Sequence, residues 1–338
     1  MKALWQYENL LFDYRDIEEP FIKDTDDIKI KVLYATAGSK DSRPLRTSYS
    51  SAKEVTAGYE MTGVITDLGS ASKQKGFYLG QMVSGSRLLF CNKCHNCKSH
   101  NQANCSNIIE SQGTFADYVV WKERQCIPLP EDYPIPKASL ISPAAISVMA
   151  YKKLNIMQND SICILGCTFE SLIFLQLLKL HGIKNISILC RNERETERAK
   201  NNGADNIFLI NDELSMTNLF CLTSFEGFNK ILVAKNTDEY IETAVNTASR
   251  GASILLTDAS YNNSSLSIRL FKISMMHLNI MTSFLYDMDT LMETREIIKD
   301  IDAESLIEKE YSFCDIQKAL DDENLFNYPR IGISMGDL

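Results

Sequence analysis

The 338-residue chain is predicted to be an α/β protein, with a β domain carrying a metal-binding lobe followed by a doubly wound parallel sheet. Three observations lead to that fold class. Residues 29–34 and 61–66 alternate polar and apolar side chains, as half-buried strands do. Four cysteines, Cys91, Cys94, Cys97 and Cys105, stand at C-x2-C-x2-C-x7-C spacing inside a polar stretch. From residue 144 onward, short runs that are apolar throughout alternate with helical patterns. Strands of that kind belong to a parallel sheet covered on both faces.

Taken in order, further strand patterns at 80–83 and 113–120 flank the cysteine stretch. The lobe at 91–105 is too poor in large apolar residues to build a core, so a bound ion has to hold it together. Each two-residue gap lets neighbouring sulfurs face one point. Zinc accepts four thiolates in tetrahedral geometry, and a site so filled keeps no position open to substrate. The four cysteines are therefore read as ligands of one structural zinc. Pro128, Pro130, Pro134 and Pro136 end the β section. Helical patterns at 144–154, 170–181, 193–202 and 237–249 then alternate with strand patterns at 160–165, 186–190, 207–210, 230–234 and 252–257. Gly182 and Gly203 close two of those helices. Residues 278–285 are expected to add the last strand of this sheet. A helix over 287–300, a strand over 306–311, a short helix over 315–320 and a strand over 331–335 complete the pattern.

The formal net charge of -9 argues against a nucleic-acid or anionic-membrane partner. Residues 1–14 are polar and mixed, without the apolar core of a signal peptide, and no apolar run reaches the roughly 20 residues of a spanning helix. A soluble, cytoplasmic protein is expected. Ten cysteines in a chain of this length and type suggest metal binding before disulfides. The six outside the lobe (Cys126, Cys163, Cys167, Cys190, Cys221 and Cys314) are read as small buried hydrophobes.

A β domain with a four-cysteine lobe, then a Rossmann-type pattern, then a return to the first domain resembles the zinc-containing medium-chain dehydrogenases, the polyol and sorbitol branch above all. The resemblance covers essentially the whole chain. Gly58-Tyr59-Glu60-Met-Thr-Gly63-Val-Ile is similar to that family's GHE-x2-G-V element with Tyr59 in place of histidine. Gly113-Thr-Phe-Ala-Asp-Tyr-Val-Val and Ala199-Lys-Asn-Asn-Gly-Ala-Asp205 are further matching pieces. The resemblance implies a GroES-like domain over 1–144 and 287–338, a Rossmann-like nucleotide-binding domain over 145–286, and pairing into a homodimer.

It also implies a second, catalytic zinc with three protein ligands, which polarises an alcohol oxygen for hydride transfer to a nicotinamide. Carried over position by position, those ligands fall at or next to Ala37, at Tyr59 and at Ser142, and none of the three is a competent zinc ligand. Glu60 is what remains of that neighbourhood. The dinucleotide fingerprint has changed as well. It reads Gly166-Cys-Thr168-Phe-Glu170-Ser171, with Thr168 and Ser171 in place of the second and third glycines. Glu170 adds a negative charge beside the expected diphosphate, a repulsion of about 3 kcal/mol at about 5 Å and an effective dielectric near 20. Cys190 stands where an acid would hold the adenosine ribose, and Arg191 follows it, so a bound cofactor would sooner be NADP than NAD.

Two functions fit these departures. One is a zinc-free, NAD(P)-linked oxidoreductase of a small carbonyl, alcohol or activated alkene, with Tyr59 or Ser39 as the acid and Lys40 nearby to lower the Tyr59 pKa. In that reading Tyr59, Ser39 and Glu60 are the candidate catalytic residues, and Gly166, Thr168 and Arg191 the cofactor-binding ones. The other is a non-catalytic member that retains the fold and the structural zinc as a partner or regulatory subunit. The substrate is not legible.

Overall fold

The computed structural model describes residues 1–7, 11–38, 55–257, 270–321 and 328–336. The chain divides into two compact units, Met1–Pro143 with Asp287–Leu338, and Ala144–Tyr286.

The first unit begins with β1 (Lys2–Gln6) and β2 (Phe12–Asp16), an antiparallel pair that β4 (Val55–Thr56) joins on the far side of β1. The eleven-residue β3 (Asp27–Ala37) is its spine, flanked on one side by β5 (Glu60–Leu68). Ile28, Ile30 and Val32 of β3 point into the core, as the alternation predicts, and pack with Ile65, Val119 and Trp121. Next come β6 (Met82–Gly85), the two-residue strands β7 (Leu88–Leu89) and β8 (Ile109–Glu110), then β9 (Tyr118–Lys122) and β10 (Cys126–Pro128). β7 and β8 pair only with each other and form the stem of the cysteine lobe. β9 pairs with residues 27–31 of β3, and Lys122 at its end reaches Asp24, Asp26 and Asp27 at 2.6–2.8 Å.

The second unit holds six parallel strands, β11 (Ile162–Leu165), β12 (Ile186–Cys190), β13 (Asn206–Leu209), β14 (Phe228–Val233), β15 (Ala248–Leu256) and β16 (Asn279–Thr282), in the order β13-β12-β11-β14-β15-β16. This is the doubly wound Rossmann order, and its switch point lies between β11 and β14. Alternate residues of β11 explain why the run reads as continuously apolar. Ile162 and Ile164 pack into a cluster with Phe174 and Leu178, whereas Cys163 and Leu165 enter another with Tyr240 and Ile254.

After residue 286 the chain returns to the first unit with β17 (Ile307–Ser312) and β18 (Arg330–Ser334). β18 lies between β3, antiparallel, and β17, parallel. Gly332 makes room there for a side chain to pass over β18. The Tyr34 hydroxyl of β3 crosses it and donates a hydrogen bond to Glu310 of β17, and a Cβ at Gly332 would lie 1.8 Å from the Tyr34 oxygen.

Several sequence expectations shift. The β1–β2 hairpin and the helix Glu213–Leu222 were not anticipated; Asp212 caps that helix by accepting from the Leu214 and Ser215 amides. The helix expected to run to 249 stops at Thr247, because Ala248 pairs with Phe228 and extends β15 backwards. The strand expected over 278–285 is confined to Asn279–Thr282. Helix Ile141–Leu154 starts earlier than expected and takes in Ser142, which is buried. Cys126, Cys163 and Cys190 are buried as expected, but Cys221 and Cys314 are exposed. Cys221 lies on the outer side of its helix, where the apolar pattern of the sequence is not matched by burial. No helix among the described residues is long and apolar enough to cross a membrane.

Two predictions follow from the Tyr34 crossing. Gly332→Ala forces the tyrosine or β17 to move and should cost about 1–3 kcal/mol in denaturant unfolding. Burial and the Glu310 carboxylate also push the Tyr34 hydroxyl well above its ordinary value. Its contribution is complete below about pH 10 and is lost as pH rises further, because the unfolded tyrosine ionises first. Tyr34→Phe should flatten that alkaline loss, read as the slope of unfolding free energy against pH.

Candidate functional site

The cysteine lobe rises from the β7–β8 stem. A four-residue helix, His95–Lys98, and the turn Gln102–Asn104 carry Cys97 and Cys105 back toward Cys91 and Cys94. The four sulfurs lie within 4.8 Å of one another. The Cys91–Cys97 and Cys94–Cys105 separations are 3.9 Å, and Cys91–Cys105 is 3.4 Å. A tetrahedron with zinc–sulfur bonds of 2.3 Å has edges of about 3.8 Å, so the donor set fits a zinc-sized ion. Backbone amides of Lys93 and Cys94 point at the Cys91 sulfur, at 3.5 and 3.4 Å, and hold its thiol down to about 6. Amides of Cys97 and Ser106 likewise lower Cys94, while burial pushes Cys97 up to about 12. Four thiolates would fill the coordination sphere of such an ion.

Among the described residues, one other cluster of three or more metal-ligand side chains occurs, Asp24, Asp26 and Asp27. The Lys122 ammonium contacts all three carboxylates. Ala37 is fully buried at the end of β3. Ser39 and Lys40 lie outside the described residues.

Tyr59 and Glu60 sit at the turn into β5. Gly58 has φ +95°, and a Cβ there would meet Thr114 Oγ1 at 2.5 Å and Phe115 at 2.8 Å, so only glycine lets this turn pack against the 113–115 segment. Glu60 is buried. Its Oε2 accepts from Thr36 Oγ1 at 2.6 Å and from Arg330 Nε at 3.1 Å. Removing one partner of a buried pair of this kind costs about 3–5 kcal/mol, so Glu60 anchors β5 to β3 and β18. Tyr59 is half-buried, and the guanidinium carbon of Arg87 stands 4.8 Å from its ring centroid. Sequence reasoning passed over Thr36, Arg87 and Arg330. For Arg87 a signal was present: a lone charge in Ser86-Arg87-Leu88-Leu89-Phe90, a stretch otherwise suited to burial.

In the second unit the fingerprint residues lie at the sheet's switch point. Gly166 follows β11, and helix Phe169–Leu180 begins immediately after Thr168. Thr168 is the N-cap: its hydroxyl accepts from the Ser171 amide at 3.2 Å, and Ser171 Oγ accepts from the Thr168 amide at 2.7 Å. Two N–H groups at this helix start are thus already satisfied by side chains. The Ser147 hydroxyl donates to the Glu170 carbonyl at 2.7 Å. Arg191, expected to face a 2′-phosphate, reaches the start of helix Asp238–Thr247. Its Nη2 lies 3.4 Å from Thr237 Oγ1 and 3.7 Å from Glu239, and its guanidinium is 5.1 Å from the Tyr240 ring. A phosphate there would have to compete with Glu239 for the arginine.

Purified protein should carry one zinc per chain, counted by elemental analysis; a value near two would contradict the ligand assignment. Cys97→Ser should abolish stoichiometric zinc and lower the unfolding temperature, on a scale of about 2–4 °C per kcal/mol for a domain of this size.

Residues 24–131 match the alcohol dehydrogenase GroES-like domain family. The chain is 25% identical over 213 residues to an L-threonine 3-dehydrogenase of Chromobacterium violaceum, an alignment spanning 62% of that protein, less than two thirds of its length. It is 25% identical over 257 residues to the galactitol 1-phosphate 5-dehydrogenase of Escherichia coli K12, covering 75% of this chain and 73% of that one. A solved galactitol-1-phosphate dehydrogenase from Escherichia coli superposes with a TM-score of 0.88 at 21% identity, covering 99% of this chain and 100% of that one. A candidate zinc-binding dehydrogenase from Sinorhizobium meliloti 1021, solved with NADP, gives 0.90 at 18% identity and 98% of both chains. At those identities the structural likeness is one of fold. Residues 24–131 thus carry the alcohol dehydrogenase GroES-like domain, and over the rest of its length the chain is similar in sequence and fold to zinc-containing medium-chain alcohol and polyol dehydrogenases.

Proposed function

We propose that the chain is an NAD(P)-linked oxidoreductase that interconverts a small alcohol and its carbonyl, or reduces an activated alkene, without a catalytic zinc. The observation that carries this reading is the Gly58–Tyr59–Glu60 turn. It matches the family's GHE element in sequence at Gly58 and Glu60, yet offers a phenol where a metal ligand is expected. Ala37 has no donor atom, and Ser142 is a buried hydroxyl on a helix. When bound, the nicotinamide supplies or accepts the hydride. The charge that develops on the substrate oxygen then needs a proton donor, and Tyr59 is the group assigned to that task. Glu60 is spent on Thr36 and Arg330, so it holds the turn. Gly166, Thr168 and Arg191 are assigned to the dinucleotide, with NADP favoured over NAD by the arginine. The lobe's zinc is assigned a structural role. The protein is expected to work in the cytoplasm on a small molecule, as a homodimer joined through the β16 edge, where Ile280 is partly exposed.

A second reading has its own support. The Thr168–Ser171 capping pair consumes two N–H groups at the helix start where a diphosphate is expected to bind. That favours a non-catalytic member acting as a partner or regulatory subunit.

Cofactor binding separates the two. NADPH is expected to raise the unfolding temperature more than NADH does; no shift with either at millimolar concentration would remove the oxidoreductase reading. In an active protein, Tyr59→Phe should lower kcat by about 10²–10⁴-fold, the usual worth of a positioned acid, with zinc content unchanged.

A further inference from the structure

Arg87 and Arg330 are the buried arginines among the described residues, and the contacts of Arg87 run in two directions. Arg87 directly precedes β7, so it stands at the base of the lobe. Its Nε donates to the Ser111 carbonyl at 2.8 Å, and its Nη2 lies 3.8 Å from the Glu110 carboxylate. Both acceptors follow the last cysteine, at the point where β8 leaves the lobe. The Ser111 amide returns the contact by donating to the Arg87 carbonyl at 3.0 Å. On its other side, Nη1 donates to the Gly58 carbonyl at 3.2 Å, and the guanidinium stacks on the Tyr59 ring at 4.8 Å. We infer that Arg87 is a positioning residue that ties the placement of Tyr59 to metal loading of the cysteine lobe, an inference that rests on the role proposed for Tyr59 above.

The physical argument starts from the stem. β7 and β8 are two residues each, with Leu88 facing Glu110 and Leu89 facing Ile109. A hairpin that short is not stable alone in water. Ser111 is also tied to the buried Gln125 at 3.2 Å, so what the four sulfurs above the stem chiefly govern is Glu110 and the end of β8 where it leaves the lobe. Without the ion, four thiol groups lose their common partner and the stem can open. Arg87 then loses the Glu110 carboxylate, and the Ser111 carbonyl shifts with the end of β8. A buried guanidinium left unpaired must reorganise or draw in water, and either response removes the cation from the Tyr59 ring. An arginine suits this role where a lysine does not. Its planar fork satisfies three acceptors in different directions and still stacks face-on against an aromatic ring.

The test labels Tyr59 with 3-fluorotyrosine and follows its fluorine resonance in the full-length protein. Chelation of the zinc should move that resonance in the wild type. R87M should move it in the zinc-loaded protein and abolish the response to chelation, while R87K should keep part of the response. An unmoved resonance on chelation of the wild type, or a response of equal size in R87M, would overturn the coupling. If R87M does not fold, or if chelation unfolds the unit, zinc-loaded R87K decides: a Tyr59 resonance identical to wild type overturns the inference, and a displaced one supports it. Turnover with NADPH is measured in parallel. A coupled Tyr59 in a protein without turnover supports the role of Arg87 and overturns the oxidoreductase reading alone.

Discussion

The polar segment between Leu89 and Ile109 depends on the convergence of four sulfurs, because it has too little apolar surface to fold by burial. Most of its hydrogen bonds lie within the segment, with Gln102 also accepting from the Met288 amide at 3.1 Å, and its stem is two residue pairs long. In the structural role proposed for zinc, closure comes from coordination, which concentrates at one point the free energy that a core spreads over many contacts. Everything near the lobe inherits that dependence. Arg87, whose guanidinium is satisfied from both the stem and the Gly58 turn, extends it to the neighbourhood where substrate chemistry is proposed.

The two units hold their functional positions by different means. In the second, packing on both faces of the sheet fixes the ends of β11 and β14, and the loop after Gly166 is placed by the strand that precedes it. Its local chemistry then departs from the fold's habit, since Thr168 and Ser171 satisfy each other's amides. In the first unit, buried charges do the placing. Glu60 is held by Arg330 from β18, Arg87 by groups on either side of the lobe, and Lys122 by three carboxylates at the start of β3. Buried or half-buried ions of this kind are sensitive to the loss of a single partner, so the geometry is specified by pairing as much as by volume.

Much of the fold was legible because hydrophobic period and punctuation agree over long stretches. β3 alternates and β11 is apolar throughout, and each pattern corresponds to the number of faces buried. The hairpin β1–β2 escaped because its strands are short, half-buried and mixed in polarity. Helix Glu213–Leu222 escaped because its outer face is as apolar as its inner one, with Leu214 and Leu222 exposed. At the candidate site, the cysteines were legible from spacing alone, because four ligands of one ion must recur at short intervals. Arg87 and Arg330 were not. Their partners lie 24 to 29 and 270 residues away in the chain, and no local pattern encodes such pairings.

The position of β18 between β3 and β17 bears on how the protein is made. Residues 34–37 of β3 have no neighbour on that side until β18 has been synthesised. Until then Glu60 also lacks its arginine. The second unit has all six strands once residue 282 has been added, so on a ribosome it can complete its sheet while the first unit is still open along four of the eleven residues of its longest strand. A nascent first unit exposes a strand edge beside an uncompensated carboxylate for the time needed to add roughly fifty more residues, a matter of seconds at about 5–20 residues per second.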